Sequence, residues 1–283
     1  MFGLCLCVGF SAMAQNVEEE YSAAYANKRG VYLLPQAGDF ALGVDATPFL
    51  RYMGNFFTSG NNVAPFFKDV NGFNQTLYGK YFLQDDRAIR ARLTVSVLNA
   101  TDKGVIRNDV AFFDDAASTA TLFDIQRESS TMLELGAGYE FRRGHGRVQG
   151  FWGGEVALGF SSEKFSYDYA NRITDENETP STYDFGWNFS NYRTTEVKPG
   201  NAIYFGLGAF AGVEYFFAPQ MSLGGEVGLG FGFSTTGQGQ MTRERWDTDA
   251  LRVEIDKYGN WENAQNIAVG TRTSGRIFLM FHF

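Results

Sequence analysis

Large apolar side chains recur at every second position in several stretches of this chain, and the C-terminal stretch shows the pattern most clearly. Its apolar positions are Ile277, Leu279, Phe281 and Phe283. A soluble protein rarely ends on such a strand, because an exposed apolar edge promotes aggregation. A strand that closes a membrane barrel has its outer face in lipid and no free edge. The pattern therefore predicts an all-β fold, a transmembrane antiparallel barrel closed by the C-terminal strand.

Composition supports the same class of protein. No stretch approaches the ~18 consecutive apolar residues of a spanning helix, yet aromatic residues make up 16% of the chain and it contains 33 glycines. Gly-rich, aromatic-rich alternation without long apolar segments is typical of membrane barrels. The alternative is a periplasmic β-sandwich of ordinary size. A net charge of −8 argues against nucleic acid as a partner, because binding it needs a basic surface.

Residues 1–14 have the features of a secretory signal peptide, since they form an apolar run that ends in an A-x-A cleavage pattern. A basic n-region is missing, so we expect the precursor to begin further upstream. Both cysteines, Cys5 and Cys7, fall inside this run. We therefore expect the mature chain to have neither a disulfide nor a thiolate site.

The period-two alternation predicts an up-and-down barrel of eight strands. Their predicted bounds are 39–53, 74–83, 87–99, 130–141, 147–161, 201–216, 221–233 and 267–283. Three short connections alternate strictly with four long ones, as short periplasmic turns alternate with long extracellular loops in outer-membrane barrels. The long ones are 54–73, 100–129, 162–200 and 234–266. With this topology, both termini lie in the periplasm.

Two further features bear on the domain organisation. Weak alternation inside the long connections, at 163–169, 184–195 and 251–258, indicates either strand extensions above the membrane or an extra hairpin that would make ten strands. Residues 15–38 precede the first strand and are predicted to be a periplasmic N-terminal segment, which leaves 39–283 for the barrel.

The predicted outer face of the barrel is apolar, and on the first strand it consists of Phe40, Leu42, Val44 and Ala46. Aromatic residues gather beside the short turns, where an interfacial girdle is expected. These residues are Tyr81, Tyr139, Phe141, Tyr215, Phe216, Phe217 and Phe283. The alternation thus assigns one face of each strand to lipid.

The opposite face combines glycine with charge, and twelve ionisable residues are predicted to point into the lumen. They are Asp45, Arg51, Lys80, Arg90, Arg92, Glu134, Glu140, Glu155, Glu214, Glu226, Arg272 and Arg276. An eight-stranded barrel is about filled by its own side chains. Six acids and six bases in that volume should pair, because an unpaired buried charge is very costly. The favoured interpretation is a salt-bridged plug, and the alternative is a polar permeation path.

On these features the chain resembles small outer-membrane β-barrels of the OmpA/OmpX-like type. Three segments also resemble small barrels of Bacteroidota: 38–50, 212–219 and the terminal phenylalanine. The resemblance implies that Phe281 and Phe283 form the C-terminal signal read by the barrel-assembly machinery. It also implies a place in the bacterial outer membrane, with its lipid and lipopolysaccharide as surroundings. It specifies no activity.

Catalysis is not predicted. The two histidines, His145 and His282, both map to the periplasmic end, so a Ser–His pair at the outer rim is unavailable. Asp114 with Asp115, and Asp247 with Asp249, are carboxylate pairs in long loops, but such pairs are usually solvated charges. The sequence has no Cys/His metal cluster, EF-hand spacing or phosphate-binding glycine loop, so no metal or cofactor is expected.

The long loops are where function is expected. They contain 20 acidic and 12 basic residues, and they also carry large aromatic side chains. The candidate contact residues are Phe112, Phe113, Trp187, Trp246 and Trp261. Aromatics on polar loops indicate contact with a protein or glycan, or alternatively a small extracellular core.

Three functions remain open, in descending order of preference. The first is a structural or interaction barrel, for example a subunit of a complex with other outer-membrane proteins. The second is transport of small or apolar solutes. The third is a surface enzyme that uses loop carboxylates.

Overall fold

A computed structural model describes residues 32–46, 68–69, 72–187, 192–259 and 266–283. The predicted signal peptide, 1–14, and residues 15–31 of the predicted N-terminal segment lie outside the described residues. Within the described part, the chain forms twelve strands and one short helix. The elements are β1 Phe40–Asp45, β2 Lys68–Asp69, β3 Gly72–Gln84, β4 Arg87–Arg107, α1 Asp109–Asp114, β5 Thr121–His145, β6 Val148–Asp168, β7 Arg193–Lys198, β8 Ala202–Ala218, β9 Met221–Thr236, β10 Gln240–Asp247, β11 Arg252–Gly259 and β12 Asn266–His282.

Eight of these strands close into a ring, and every neighbouring pair is antiparallel. The order around the ring is β1, β3, β4, β5, β6, β8, β9 and β12. The C-terminal strand closes it by pairing with β1, where Leu42 faces Phe281. The predicted eight-stranded barrel is thereby confirmed. The ten-strand alternative is wrong, because the extra hairpin β10–β11 pairs with β7 and lies outside the ring.

The three short turns and both described chain ends lie at one end of the barrel, which we call the short-turn end. The amide of Phe40 donates to the carbonyl of Phe283 at 3.0 Å, and Gly38 donates to Phe82 at 2.8 Å. One turn is shorter than predicted, since β5 continues to His145 rather than ending at Phe141. Leu33 and Pro35 are buried against this end.

The period-two pattern sorts side chains as predicted, with two exceptions. Most of the expected lipid-facing and girdle residues are exposed, among them Phe40, Leu42, Tyr81 and Phe283. Ala46 is buried although its amide donates to the Ile277 carbonyl at 2.8 Å, which continues the pairing register of β1 with β12. Phe216 is also buried, since it has the same parity as the inward-facing Glu214.

The long connections are more structured than predicted. Strands β4 and β5 continue far beyond the predicted bounds, to Arg107 and from Thr121, so most of 100–129 is a strand hairpin rather than a loop. At its tip, α1 is capped by Asn108, whose side chain accepts from the Ala111 amide at 3.2 Å. None of the helices in the described residues is long and apolar enough to cross a membrane.

Segments 162–200 and 234–266, also predicted as loops, contribute three more strands. β7 pairs with β6, β10 with β7 and β11 with β10. We call β7, β10 and β11 the outer sheet. The weak alternation at 251–258 therefore marked a real strand, whereas β10 carries no apolar alternation that would have revealed it.

Candidate functional sites in the lumen and the outer sheet

The lumen near the short-turn end is filled by a cluster of charged side chains around Glu214. Lys80 donates to Glu140 at 3.0 Å and to Glu214 at 3.2 Å. Arg142 donates to Glu140 at 3.1 Å and lies 2.8 Å from Glu214. The side chains of Glu140 and Glu214 are 0% exposed. We call these four residues, together with Ser222 and His282, which contact Glu214, the lumen floor.

A second layer of ion pairs lies above the floor. Arg90 binds Glu226 through two hydrogen bonds, of 2.8 and 3.1 Å, which is the strong bidentate geometry. Arg92 joins Glu134 at 2.5 Å and Glu155 at 2.8 Å. On the far wall, Arg276 completes the layer with a 2.8 Å bond to Glu226.

The two layers are connected, because Arg90 also lies 3.7 Å from Glu140 in the floor. The network therefore links β3, β4, β5, β6, β8, β9 and β12 across the barrel interior. Nine of the twelve sequence-predicted lumen residues take part in it: Lys80, Arg90, Arg92, Glu134, Glu140, Glu155, Glu214, Glu226 and Arg276.

The structure describes the remaining three predicted lumen residues less fully. Asp45 is half-buried at the end of β1. Arg272 pairs in register with Gly230, and the structure describes only its backbone. Arg51 lies outside the described residues.

Sequence reasoning missed three residues of the floor: Arg142, His282 and Ser222. Each has the parity of its inward-facing neighbours, so continuing the alternation to the strand ends would have found all three. His282 Nε2 lies 3.0 Å from Ser222 Oγ and 3.3 Å from Glu214, and its ring lies 5.1 Å from that of Phe216.

The Ser222–His282–Glu214 contacts do not have the geometry of a catalytic triad. In a triad the serine and the acid bind opposite ring nitrogens, whereas here both contact Nε2. Ser222 Oγ also donates directly to Glu214, and its side chain is fully buried. The three residues therefore extend the polar contacts around Glu214.

Glycines on the inner wall make room for aromatic side chains rather than for an open channel. A Cβ built on Gly212 would lie 2.3 Å from the Phe151 ring, and one on Gly224 would lie 2.3 Å from the Phe278 ring. Above the floor, a small polar cavity of about 80 Å³ remains, lined by residues that include Arg92, Glu155 and Tyr204.

The outer sheet has its own apolar cluster. Tyr167, Val197 and Met241 are buried together, and the partly buried Phe165, Tyr169, Phe185 and Trp187 pack against them. Trp187, predicted as a contact residue, therefore belongs in part to a small core. Its carbonyl also accepts a 2.6 Å hydrogen bond from Thr194.

Two buried aspartates attach the segment 169–187 to the β4–β5 hairpin. Asp124 accepts from the amides of Ala170 and Tyr183, at 2.9 and 2.8 Å. Asp109 accepts from the Ser181 amide at 2.6 Å and from Asn177 at 3.0 Å. Burial opposes ionisation of Asp109, but these hydrogen bonds outweigh it and lower its pKa.

The other predicted contact residues have different surroundings. Phe113 on α1 is exposed, whereas Phe112 lies under the guanidinium of Arg107 at 3.9 Å. Trp246 is half-buried on β10 and faces Val253 of β11. Trp261 lies outside the described residues.

The carboxylate pairs considered for catalysis organise local turns. Asp115 ends α1 and accepts from the Ala117 amide at 2.9 Å. Asp247 accepts from the amides of Ala250 and Asp249, at 3.0 and 2.9 Å, and these bonds lower its pKa. A search of the described residues for groups of three or more His, Cys, Asp or Glu able to hold a metal ion found none.

Comparisons with solved structures find outer-membrane proteins that align with most of this chain, but the sequence identities and TM-scores are low. No family model and no curated protein matches the chain. Among solved structures, a major outer membrane protein from Thermus thermophilus is 14% identical, with a TM-score of 0.39, covering 87% of this chain and 100% of its own. Ail, the attachment invasion locus protein of Yersinia pestis, is 10% identical, with a TM-score of 0.35 and coverages of 87% and 99%. The outer membrane protein OprG from Pseudomonas aeruginosa is 9% identical, with a TM-score of 0.33 and coverages of 89% and 98%.

Proposed function

We propose that this protein is a non-enzymatic barrel of the bacterial outer membrane with a closed lumen. It acts as a structural or interaction protein, or as a subunit of a larger outer-membrane complex, through the surface of its outer sheet. The short-turn end and both termini face the periplasm, and the outer sheet faces the cell exterior. Its surroundings are outer-membrane lipid and lipopolysaccharide, and the barrel-assembly machinery inserts it.

The observation that carries this proposal is the ion-pair network in the lumen. Five bases and five acids of the described residues pair there: Lys80, Arg90, Arg92, Arg142 and Arg276 with Glu134, Glu140, Glu155, Glu214 and Glu226. A permeation path would need a water-filled bore or an uncompensated charge excess. A balanced network in a narrow barrel instead supports a plug.

Transport receives less support from this geometry. The cavity in the lumen measures only about 80 Å³, and its lining includes Arg92, Glu134, Glu155 and Arg276 of the ion-pair network. In the described residues, β1 pairs with both β3 and β12 and closes the ring near the short-turn end, which argues against a lateral opening there.

An apolar patch on the outer sheet favours the interaction role. Trp246 on β10 and Val253 and Ile255 on β11 lie on one face of the hairpin, and Leu251 follows in its turn. Ile255 is 61% exposed and Leu251 is 71% exposed. Exposed apolar groups in an acidic, polar surface typically mark a contact site.

Site-specific photo-cross-linking in intact cells tests this role. A photoreactive side chain at Ile255 should yield discrete protein adducts, because this position lies in the patch. The matched control is Leu135, which is about as exposed but lies on the membrane-facing side of β5. Adducts with lipid alone at both positions would contradict the interaction role.

A further inference from the structure

Among the described residues, no strand pairs with the outer edge of β11, which we call its free edge. β11 is the terminal strand of the outer sheet, and among the strands that the structure describes it pairs only with β10. Over Arg252–Gly259 this edge presents the main-chain donors and acceptors that a further strand would use. An extended segment added there would continue the sheet from β6 through β7, β10 and β11.

The two faces of β11 differ in chemistry. Val253 and Ile255 are exposed on one face. Glu254 and Asp256 alternate with them on the other face, where both are half-buried. Glu254 already accepts hydrogen bonds of 2.8 and 2.6 Å from Arg245. A strand paired with this stretch of the edge would therefore find apolar neighbours at Val253 and Ile255 and the carboxylate of Asp256 on the other face.

We propose that the free edge of β11 binds an extended segment of a partner protein in which apolar and basic side chains alternate. This inference rests on the proposed interaction role and specifies its site and the chemistry of the partner. Main-chain pairing supplies the affinity, Val253 and Ile255 accept the apolar side chains, and Asp256 attracts the basic ones.

The charge of the surrounding surface favours a basic partner. Beyond the membrane-spanning part of the strands, the segments 99–129, 162–200 and 234–259 contain 18 acidic and 11 basic residues. Asp247 ends β10, and Asp249 lies in the turn that leads into β11. An excess of carboxylates accelerates the encounter with a basic segment and opposes an acidic one.

Peptide binding to the purified full-length barrel tests the proposal. The probe is a fluorescently labelled peptide of alternating valine and lysine, titrated at low salt. One control peptide has the same composition in two blocks, and another alternates but is N-methylated along one edge. We expect saturable binding of the alternating peptide, with affinity at least about five-fold lower for both controls, a loss equivalent to about one good cross-strand pair.

Two variants and a matched control locate the site. Ile255→Lys should weaken binding by about five-fold because it removes an apolar contact. Asp256→Lys should weaken it by about as much because it removes the acidic contact. Asp249→Lys makes the same charge reversal in the neighbouring turn and should weaken it by less than about two-fold. The electrophoretic shift of the folded barrel on heating verifies that each variant is folded.

Four results would overturn the proposal. Equal binding of the block peptide would show simple charge attraction, and equal binding of the N-methylated peptide would exclude strand pairing. Dimerisation of the barrel alone, abolished by Ile255→Lys, would assign the edge to a second copy of the chain. If the peptide fails to bind while photo-cross-links at Ile255 persist, the strand-pairing proposal fails and the interaction role stands.

Discussion

The lumen and the tip of the β4–β5 hairpin both contain buried carboxylates, but the carboxylates have different main partners. In the lumen, Glu214 and Glu226 face cationic side chains that reach across the barrel from other strands. At the hairpin tip, Asp109 and Asp124 accept hydrogen bonds from main-chain amides of the segment 169–187, and Asp109 also pairs with the neighbouring Arg107. Paired charges fill a volume, whereas amide contacts hold one segment of chain against another. The difference predicts that the two regions respond differently to the same kind of substitution.

The largest expected effect is in the lumen floor. Glu214→Gln leaves Lys80 and Arg142 without one of their two carboxylates in a fully buried site. Breaking a buried pair by removing one partner costs about 3–5 kcal/mol. Urea unfolding in lipid micelles, followed by tryptophan fluorescence, should show this loss of unfolding free energy. Stability equal to that of the unsubstituted protein would mean that the floor ion pairs do not hold the barrel together.

The second-largest loss of unfolding free energy is expected from overpacking the lumen wall. Gly212→Ala places a methyl group 2.3 Å from both the Phe151 ring and a main-chain carbonyl, so we expect overpacking to cost about 1–3 kcal/mol. Gly275→Ala is the matched control, because nothing lies within 4 Å of a Cβ there. The same unfolding measurement should separate the two variants. Similar values for both would show that the inner wall is loosely packed.

Asp109→Asn addresses the outer region and should leave the barrel intact. An asparagine has one acceptor oxygen, so its NH2 group would face either the Ser181 and Asn177 donors or the Arg107 guanidinium. Local opening of 169–187 should therefore become easier by roughly 1–2 kcal/mol. Because the folded-state pKa of Asp109 lies below its ordinary value of 3.8, this contribution is present above that pH and is lost as the pH falls through the lowered pKa. Hydrogen exchange over a pH series should show faster exchange at Tyr183, and unchanged exchange in β5 near Glu134. Faster exchange at Tyr183 and near Glu134 together would show that the segment 169–187 does not open independently of the barrel wall.

The smallest effect is expected at the surface of the outer sheet. Lys164 bonds Glu196 at 2.6 Å, but the Lys164 side chain is 46% exposed, so solvent screens the pair. Lys164→Ala should lower stability by only about 0.2–1 kcal/mol, and added salt should remove the difference. A loss as large as that of Glu214→Gln would show that exposed and buried pairs contribute alike.

Strand periodicity predicted the ring and most of its lumen, because inward and outward positions alternate strictly in a barrel wall. Lys80, Arg90 and Glu226 were assigned inward on parity alone, and the structure places them together. Arg142 escapes the prediction because the predicted strand ends at Phe141. His282 lies within a predicted strand, but the prediction uses only its position along the barrel. The same parity rule would have placed both in the floor.

The outer sheet was harder to predict because its pairing is non-local and its strands lack an apolar stripe. In β10, Arg243 and Arg245 alternate with Thr242 and Glu244, so hydropathy gives no signal. Aromatic contacts support the strand instead, for example that of Arg243 with the Tyr192 ring at 4.8 Å. Such contacts join distant parts of the chain, and periodicity does not report them.

Single-channel current recording in planar bilayers tests the closed lumen most directly. The purified protein should insert without steady conductance, because the ion pairs from Lys80 to Glu226 fill the barrel interior. Glu214→Ala with Lys80→Ala, which opens the floor without leaving these two charges unpaired, should give at most brief, small openings. Stable channels in the nanosiemens range from the unsubstituted protein would contradict the account.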